Sequence, residues 1–246
     1  MAAGEVPGSS KYGVKALLFD VFGTLVDWRT GVAREAETHL KPRGHAIDWL
    51  AFADAWREEY QPSMEQVRSG RIPYTKLDIL HRRSLDLVLP RFGIRDLPEE
   101  VAQSLNLAWH RLDGWPDVAP AFMRLERRFL MAPVSNGNIA LLVDLARRNS
   151  LRFDAILGAD VAGDYKPKPR AFLAAAEAFG LPPSACLMVF AASHTADAIG
   201  AAACGMRTAS IARPDEFGPG KSAAICDAPV DIAARDLNDL ADALGA

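Results

Sequence analysis

Short apolar runs and helical patterns alternate along most of the chain. Each run ends in turn residues and is apolar nearly throughout, as expected of strands buried on both faces of a parallel sheet. The runs span residues 15–20, 129–134, 155–157, 186–190 and 208–211. Helical spacing predicts helices between them over 138–149, 170–179 and 195–204. This alternation predicts an α/β fold with a doubly wound parallel sheet.

One long region departs from this alternation. Between residues 30 and 114, apolar positions such as Trp49, Phe52 and Trp56 recur at helical spacing, and no run resembles a buried strand. Gly114 and Pro116 close the region as a hinge or turn. The predicted organisation is a disordered N-terminus (1–13), a core (14–29 and 115–246) and an inserted all-helical region (30–114).

Composition narrows the class of protein. The 246 residues are half hydrophobic and carry a net charge of -3, which favours a globular protein that binds neither nucleic acid nor an anionic membrane. The three cysteines, Cys186, Cys204 and Cys226, form no CxxC pair, and this indicates reduced thiols. The sequence has no signal-peptide pattern and no apolar run of about 18 residues. A cytoplasmic location is therefore predicted.

Residues with chemical potential follow the predicted strands. Asp20 ends the first strand, Ser135 and Asn136 follow the second, and Lys166 and Asp197 lie in later loops. The C-terminal ends of parallel strands meet at one edge of the sheet, so these side chains are predicted to gather there. The alternative for each is an ordinary structural role, since Asp and Ser-Asn-Gly are common turn residues and most lysines are solvated.

Four segments carry a family resemblance. They are Phe19-Asp20-Val21-Phe22-Gly23-Thr24-Leu25, Val134-Ser135-Asn136-Gly137, Tyr165-Lys166-Pro167 and the stretch from Ser193 to Thr208. Together, and in this order, they resemble the four motifs of the haloacid dehalogenase (HAD) superfamily, and most of all its type II 2-haloacid dehalogenases. The resemblance implies a Rossmann-like core with a helical cap, here residues 30–114. It also implies hydrolysis of short 2-haloalkanoic acids to 2-hydroxy acids, no metal or other cofactor, and a possible homodimer.

The resemblance assigns catalytic roles to four residues. Asp20 would attack the halogen-bearing carbon and form an aspartyl ester. Lys166 would offset the repulsion between this carboxylate and an anionic haloacid. Asp197 would help activate the water that hydrolyses the ester, or would hold Lys166. Arg57, in a cap segment that resembles the family's halide-binding segment, would receive the halide; the alternative is an exposed helix arginine.

The implied substrate-binding residues surround Asp20. Thr24 would hold the Asp20 carboxylate, and Ser135 and Asn136 would donate hydrogen bonds to the substrate carboxylate or the halide. Phe22 would form a wall of the pocket, with simple core packing as the alternative. The full set is Val21, Phe22, Thr24, Ser135, Asn136 and His194.

Two positions argue against the first rival, a magnesium-dependent phosphatase of the same superfamily. Such phosphatases usually have a second Asp at the position of Phe22, and this Asp protonates the departing alkoxide. A halide can leave without a proton. Ser193 stands where metal-dependent members usually have an Asp, and its loss weakens a magnesium site.

Three further positions depart from the family pattern and leave a second rival open. Ala192 stands in place of Ser, His194 in place of Asn and Phe172 in place of Tyr. His194 has three interpretations: a hydrogen-bonding substitute for Asn, a base near neutral pH, or an ordinary satisfied histidine. The rival is a catalytically silent protein that binds an anionic metabolite or a protein partner.

Overall fold

The computed structural model describes residues 12–246, and the predicted disorder over 1–13 therefore falls almost entirely outside the described residues. Within this range one parallel sheet is formed by β1 (Ala16–Phe19), β2 (Leu130–Pro133), β3 (Cys186–Ala191), β4 (Arg207–Ile211) and β5 (Ile232–Ala234). The strand order is β2-β1-β3-β4-β5, so β1 lies inside the sheet. Its residue Ala16 lies opposite Leu130 of β2 and Cys186 of β3.

Helices connect the successive strands, except that a loop connects β4 to β5, and α11 follows β5. The inserted region contains α1 (Trp28–Leu40), α2 (Trp49–Glu58), α3 (Tyr60–Arg68), α4 (Leu77–Val88) and α5 (Glu99–Asn106). The core contains α6 (Val118–Leu125), α7 (Ile139–Arg148), α8 (Gly158–Ala162), α9 (Pro169–Ala178), α10 (Thr195–Ala203) and α11 (Leu237–Leu244). Within residues 12–246, no helix is long and apolar enough to cross a membrane.

The sheet is buried on both faces because its side chains alternate between two apolar clusters. Leu17 and Phe19 of β1 pack in one cluster with residues of α6 and α11, and this cluster continues into the helical insert. Ala16 and Leu18 pack in the other with residues of α9 and α10. Period-two alternation on a parallel sheet with helices on each side is the doubly wound arrangement. The predicted fold class, with its helical cap, is confirmed.

Two features of the sheet were predicted wrongly. Residues 155–157 form no strand. The Asp154 N–H donates to the Met131 carbonyl (2.8 Å), but the Met131 N–H donates to the Asp154 side chain (2.8 Å) and not to a backbone carbonyl. Pairing with β2 therefore stops after this one main-chain hydrogen bond. Conversely, β5 was missed. It has three residues, and only its first and last are buried, so its apolar signal is too short to recognise.

The cap joins the core beside the loop that follows β1. Val26 pairs with Gly114 in an antiparallel bridge, so the segments that enter and leave the cap lie side by side. Trp115 reinforces the junction: its backbone N–H donates to the Leu25 carbonyl (3.0 Å) and its indole N–H to the Gly23 carbonyl (2.9 Å). The predicted turn at Gly114 is therefore a paired connection that fixes the cap against this loop.

A second contact between cap and core is built on His110. Its Nε2 lies 3.0 Å from Asp78 of the cap helix α4, and its Nδ1 lies 2.8 Å from Asp144 of the core helix α7. Asp78 also exchanges two hydrogen bonds with Asn138, at 2.8 and 3.2 Å. Burial opposes the charged form of His110, but hydrogen bonds from the ring to Asp78 and Asp144 outweigh it and raise its pKa. The imidazolium thus joins the two parts of the molecule.

We predict that His110→Gln destabilises the protein by about 1 kcal/mol at pH 5, discounted because Asp144 is half exposed. A raised folded-state pKa means that the His110 contribution is complete below the unfolded pKa and is lost as pH rises through the folded pKa. The difference in unfolding free energy from wild type should therefore shrink by pH 9. Urea denaturation at both pH values measures it; an equal loss at pH 5 and pH 9 contradicts the charged contact.

Candidate active site

Asp20 lies at the C-terminal end of β1, and the sheet holds its backbone. Its N–H continues the β1–β3 ladder by donating to the Val189 carbonyl (2.9 Å). Three side chains bind the carboxylate. Lys166 Nζ donates to Oδ1 (2.7 Å), whereas Thr24 Oγ1 (2.6 Å) and His194 Nδ1 (3.1 Å) both contact Oδ2.

These contacts keep Asp20 ionised although it is buried. Burial alone would raise its pKa, but the charges of Lys166 and His194 and their hydrogen bonds hold the pKa far below its usual range. A buried carboxylate that stays charged at neutral pH is a nucleophile whose surrounding water has been removed. Asp20 therefore has the electrostatic environment that its predicted role as nucleophile requires.

Lys166 is fixed between two carboxylates. Besides Asp20, its ammonium contacts Asp197 in a short hydrogen bond. Its backbone is held as well, because its N–H donates to Asn136 Oδ1 (2.8 Å) and its carbonyl accepts from Arg68 of the cap (2.9 Å). Burial would lower the Lys166 pKa, but Asp197 and Asp20 raise it above its usual value, so the ammonium stays charged. Burial also raises the pKa of Asp197, against the attraction of Lys166.

Sequence analysis missed Glu216, which is fully buried beside the same site. It lies in the loop between β4 and β5 and accepts hydrogen bonds from His194 Nε2 (2.8 Å) and Ser193 Oγ (2.5 Å), with Trp28 Nε1 at 3.4 Å. The His194 ring therefore lies between two carboxylates, those of Asp20 and Glu216. Burial disfavours the imidazolium, but Glu216 and Asp20 together raise the His194 pKa to about 10.

The Glu216 loop is attached to the nucleophile loop. Arg213 donates from Nε to the Thr24 carbonyl (2.9 Å) and binds Asp117 through both terminal nitrogens (2.9 Å each). Gly23 makes the close approach possible, because a Cβ built there would lie 2.1 Å from Glu216 Oε1, and its φ of +84° is itself unfavourable for other residues. The Arg213 contacts and the approach of Glu216 to Gly23 both join residues far apart in the sequence, so no local pattern predicts them.

A cavity of about 710 Å³ opens between these loops and the cap. On the cap side, the Arg57 guanidinium lies 4.0 Å from the centre of the Tyr60 ring and 5.2 Å from that of Trp28. Arg57 Nη1 is buried and has no hydrogen-bond partner among the described residues. Phe22 lies beneath, edge-on to Tyr60 (6.3 Å) and Trp109 (5.8 Å between ring centres). The cavity thus has the buried Asp20 carboxylate on the core side and an incompletely bonded cation, Arg57, on the cap side.

Most of the predicted site residues line this cavity. They are Asp20, Phe22, Arg57, Asn136, Lys166, His194 and Asp197. Val21, Thr24 and Ser135 do not line it. Thr24 acts through the Asp20 carboxylate, and the Ser135 hydroxyl accepts the Gly137 N–H (3.1 Å), which shapes its own loop.

A metal ion fits this site poorly. Donor atoms of Asp20, His194 and Asp197 lie within 4.8 Å of one another, a spacing that could hold an ion. However, the Lys166 ammonium lies between the two carboxylates, and both ring nitrogens of His194 contact carboxylates. Magnesium prefers an octahedral set of oxygen ligands, and Ser193, which would have to supply one, is bound to Glu216.

A model of haloacid dehalogenase-like hydrolases matches residues 14–205. The chain belongs to this family. Within it, the chain is 30% identical to (S)-2-haloacid dehalogenase 1 of Pseudomonas sp. (strain CBS-3), over 83% of this chain and 88% of that protein. It is 32% identical to the (S)-2-haloacid dehalogenase of Pseudomonas sp. (strain YL), over 81% and 83%.

A solved structure agrees with these matches. The crystal structure of a defluorinating L-2-haloacid dehalogenase superposes with a TM-score of 0.92 at 41% identity, covering 98% of this chain and 100% of that chain. The similarities confirm the predicted family, the type II haloacid dehalogenases, and the predicted class of enzyme, a hydrolase of carbon–halide bonds.

We predict that Gly23→Ala destabilises this dehalogenase-family protein more than Gly44→Ala does. Both glycines have nearly the same positive φ, +84° and +85°, but only Gly23 faces Glu216, whereas nothing lies within 4 Å of a Cβ at Gly44. Each change adds about 1–2 kcal/mol of backbone strain. Gly23→Ala also forces Glu216 away from His194, for a further loss of about 1–3 kcal/mol.

Urea denaturation of both variants measures the difference. Adding Glu216→Ala to Gly23→Ala should recover part of the extra loss, because the new methyl group then no longer collides with the Glu216 carboxylate. If the two single variants are equally stable, the tight contact between Gly23 and Glu216 is contradicted.

Proposed function

We propose that this protein hydrolyses short L-2-haloalkanoic acids to 2-hydroxy acids through an aspartyl ester and without a metal ion. The observation that carries the proposal is the ionised carboxylate of Asp20 facing a cavity that has Arg57 on its other side. The named activity of the relatives supports the same chemistry. The homodimer and the cytoplasmic location stay predictions.

In the first step an Asp20 oxygen attacks the halogen-bearing carbon from the side opposite the halogen. A new carbon–oxygen bond forms, the carbon–halogen bond breaks, and the halogen leaves with the bonding electron pair. The halide gains charge as the bond breaks, and the buried cation of Arg57 is the group on the cap side that can stabilise it. Lys166 remains between Asp20 and Asp197 and offsets the repulsion between carboxylate and substrate.

The charges around the cavity favour an anionic substrate, because an anion can bind there without breaking the ion pairs that hold Asp20. Among the described residues, the acidic groups around the site are Asp20, Asp197 and Glu216, and Asp54, which is paired with Arg29, and Glu58 also line the cavity. Lys166, His194 and Arg57 carry positive charge, and Arg57 alone has an unpaired buried donor. A substrate carboxylate or a departing halide can therefore be bound by Arg57 without breaking the pairs that hold the nucleophile. The cavity volume of about 710 Å³ exceeds what a short haloacid fills.

Phe22 favours halide as the leaving group over an alkoxide. It is buried against Tyr60, His81 and Trp109 and offers no proton. An alkoxide needs a proton to depart, whereas chloride, bromide and iodide do not. Ser193, bound to Glu216, supplies no carboxylate for magnesium. Phe22 and Ser193 thus give the phosphatase rival no specific support. The silent binder is not favoured either, since an ionised Asp20 would serve no purpose in mere binding.

We predict chloride release from L-2-chloropropionate in the presence of EDTA, at the rate seen without EDTA. Asp20→Asn should release none, because an amide is a much poorer nucleophile. The matched control is Asp48→Asn: Asp48 caps helix α2 through the Ala51 N–H (3.0 Å), which Asn can also do. Ion chromatography of chloride is the measurement. Turnover that stops with EDTA and returns with magnesium would instead support the phosphatase-like, metal-dependent alternative.

We predict that Arg57→Gln lowers kcat/KM for L-2-chloropropionate about 100-fold, because it removes the cation that stabilises the departing halide. The loss should be smaller for L-2-bromopropionate, since bromide is the better leaving group. Arg83→Gln is the control, because Arg83 is an exposed arginine of the same cap. Steady-state halide assays compare the two substrates. An identical loss for both substrates would assign Arg57 to substrate binding and remove it from the halide step.

A further inference from the structure

The two oxygens of Asp20 are not equivalent. Among the described residues, Oδ2 receives two donors, the Thr24 hydroxyl at 2.6 Å and His194 Nδ1 at 3.1 Å, whereas Oδ1 receives only the Lys166 ammonium at 2.7 Å. A carboxylate oxygen has about two lone-pair directions for acceptance. Oδ2 is therefore saturated, and Oδ1 retains a lone pair. If Asp20 forms an ester, as the proposed function requires, Oδ1 makes the new bond and Oδ2 becomes the ester carbonyl.

We propose that His194 is a catalytic residue for hydrolysis of the aspartyl ester: with Thr24 it forms an oxyanion-binding pair around Oδ2, and Glu216 is the positioning residue that orients its ring. This inference rests on the proposed function and concerns its second half. It gives His194 a role that is neither substrate binding nor general base catalysis. It also gives a role to Glu216, which no local pattern in the sequence marks.

Hydrolysis of the ester has two stages, attack by water and collapse of the tetrahedral intermediate. The water oxygen attacks Cγ of Asp20, the carbonyl electron pair moves to Oδ2, and Asp197 takes a proton from the water. The negative charge on Oδ2 then lies against the Thr24 and His194 donors. On collapse, the pair on Oδ2 re-forms the carbonyl, the Cγ–Oδ1 bond breaks, and the product alkoxide takes the proton from Asp197. Asp20 is left as a carboxylic acid, and it releases its remaining proton to solvent.

His194 is built to donate and not to accept. Its Nε2 donates to Glu216 (2.8 Å) while its Nδ1 faces Asp20, so neither nitrogen has a free lone pair for a water proton. The charged groups around it are the Asp20 and Glu216 carboxylates, with Asp197 of α10 and Lys166 nearby. Ester formation removes the charge of Asp20, but Glu216 remains, so the imidazolium persists through the step that needs it. Preorganised donors of this kind are effective because they do not reorient during the reaction.

The Glu216 side chain is held firmly enough for this task. It is fully buried, and Ser193 and Trp28 contact it besides His194. Its loop is attached to the nucleophile loop through Arg213 and the Thr24 carbonyl. The donor and its support thus converge on Asp20 from two separate loops at the C-terminal edge of the sheet.

The test separates the two half-reactions of the full-length enzyme with L-2-chloropropionate. Rapid-quench measurement of chloride follows ester formation, and intact-protein mass spectrometry follows the ester itself. For His194→Ala, which removes the donor to Oδ2, we expect a burst of chloride at a rate within about threefold of wild type, then ester hydrolysis slowed about 100-fold, so that the ester accumulates. The matched control is His39→Ala, because among the described residues the His39 ring bonds only to Glu35 and Ser104 at the cap, and it should show no accumulation.

Glu216→Gln, which preserves size and shape, provides a second readout. It removes one of the two carboxylates that keep His194 charged, so the His194 pKa falls and ester hydrolysis should be lost at a lower pH than in wild type. Ester formation should keep its wild-type pH profile. If Glu216 had only a structural role, Glu216→Gln would lower the rates of both steps at every pH and would not shift the pH profile of ester hydrolysis.

The outcomes distinguish this inference from the proposed function. If wild type gives no chloride burst and no ester, the proposed function fails and the inference fails with it. If wild type forms the ester but His194→Ala slows the burst as much as the hydrolysis, or changes neither, the proposed function stands and the oxyanion role is overturned. An unshifted pH profile in Glu216→Gln overturns the positioning role of Glu216.

Discussion

The buried negative charge of Asp20 is the constraint on which the site depends. A carboxylate removed from water is protonated unless cations and hydrogen-bond donors replace the water. Lys166, His194 and Thr24 do so here, and the two cations in turn need Asp197 and Glu216. The residues of this network come from four segments of the chain: the loop after β1, the segment before α9, the segment after β3 with the start of α10, and the loop between β4 and β5. The order of strands and the register between β1 and β3 therefore determine whether the nucleophile can exist in its reactive form.

The parts of the molecule that could be predicted from sequence are those encoded locally. The apolar runs that became β1 to β4 and the helical spacing in the cap are local patterns, and the sheet and cap agree with them. Asp20, Lys166 and Asp197 could be grouped because each follows a strand or lies in a loop at the same edge. The interrupted pairing at Asp154 and the short edge strand β5 depend on a side-chain contact and on three residues, which no window of hydrophobicity resolves.

Glu216 shows the limit of position-by-position comparison. Along the sequence, Ala192 and His194 look like losses of polar groups from a family pattern. In three dimensions His194 is bonded to a carboxylate 22 residues away, and Ser193 to the same group. A changed residue and its new partner form one unit that only the folded chain brings together. The residues that depart from the family pattern thus form a different set of hydrogen-bond donors around Asp20, and they do not indicate a damaged site.

Phe22 links the chemistry of the site to the attachment of the cap. The same ring that bounds the cavity beside Asp20 is edge-on to Tyr60, His81 and Trp109, all of them residues of the inserted helices. A mutation that placed a proton-donating Asp there would bury a second carboxylate and remove the aromatic contact in one event. A change of the chemistry at this one position is therefore also a change in how the cap is attached. The side chain beside Asp20 cannot be exchanged without altering the packing of the inserted helices.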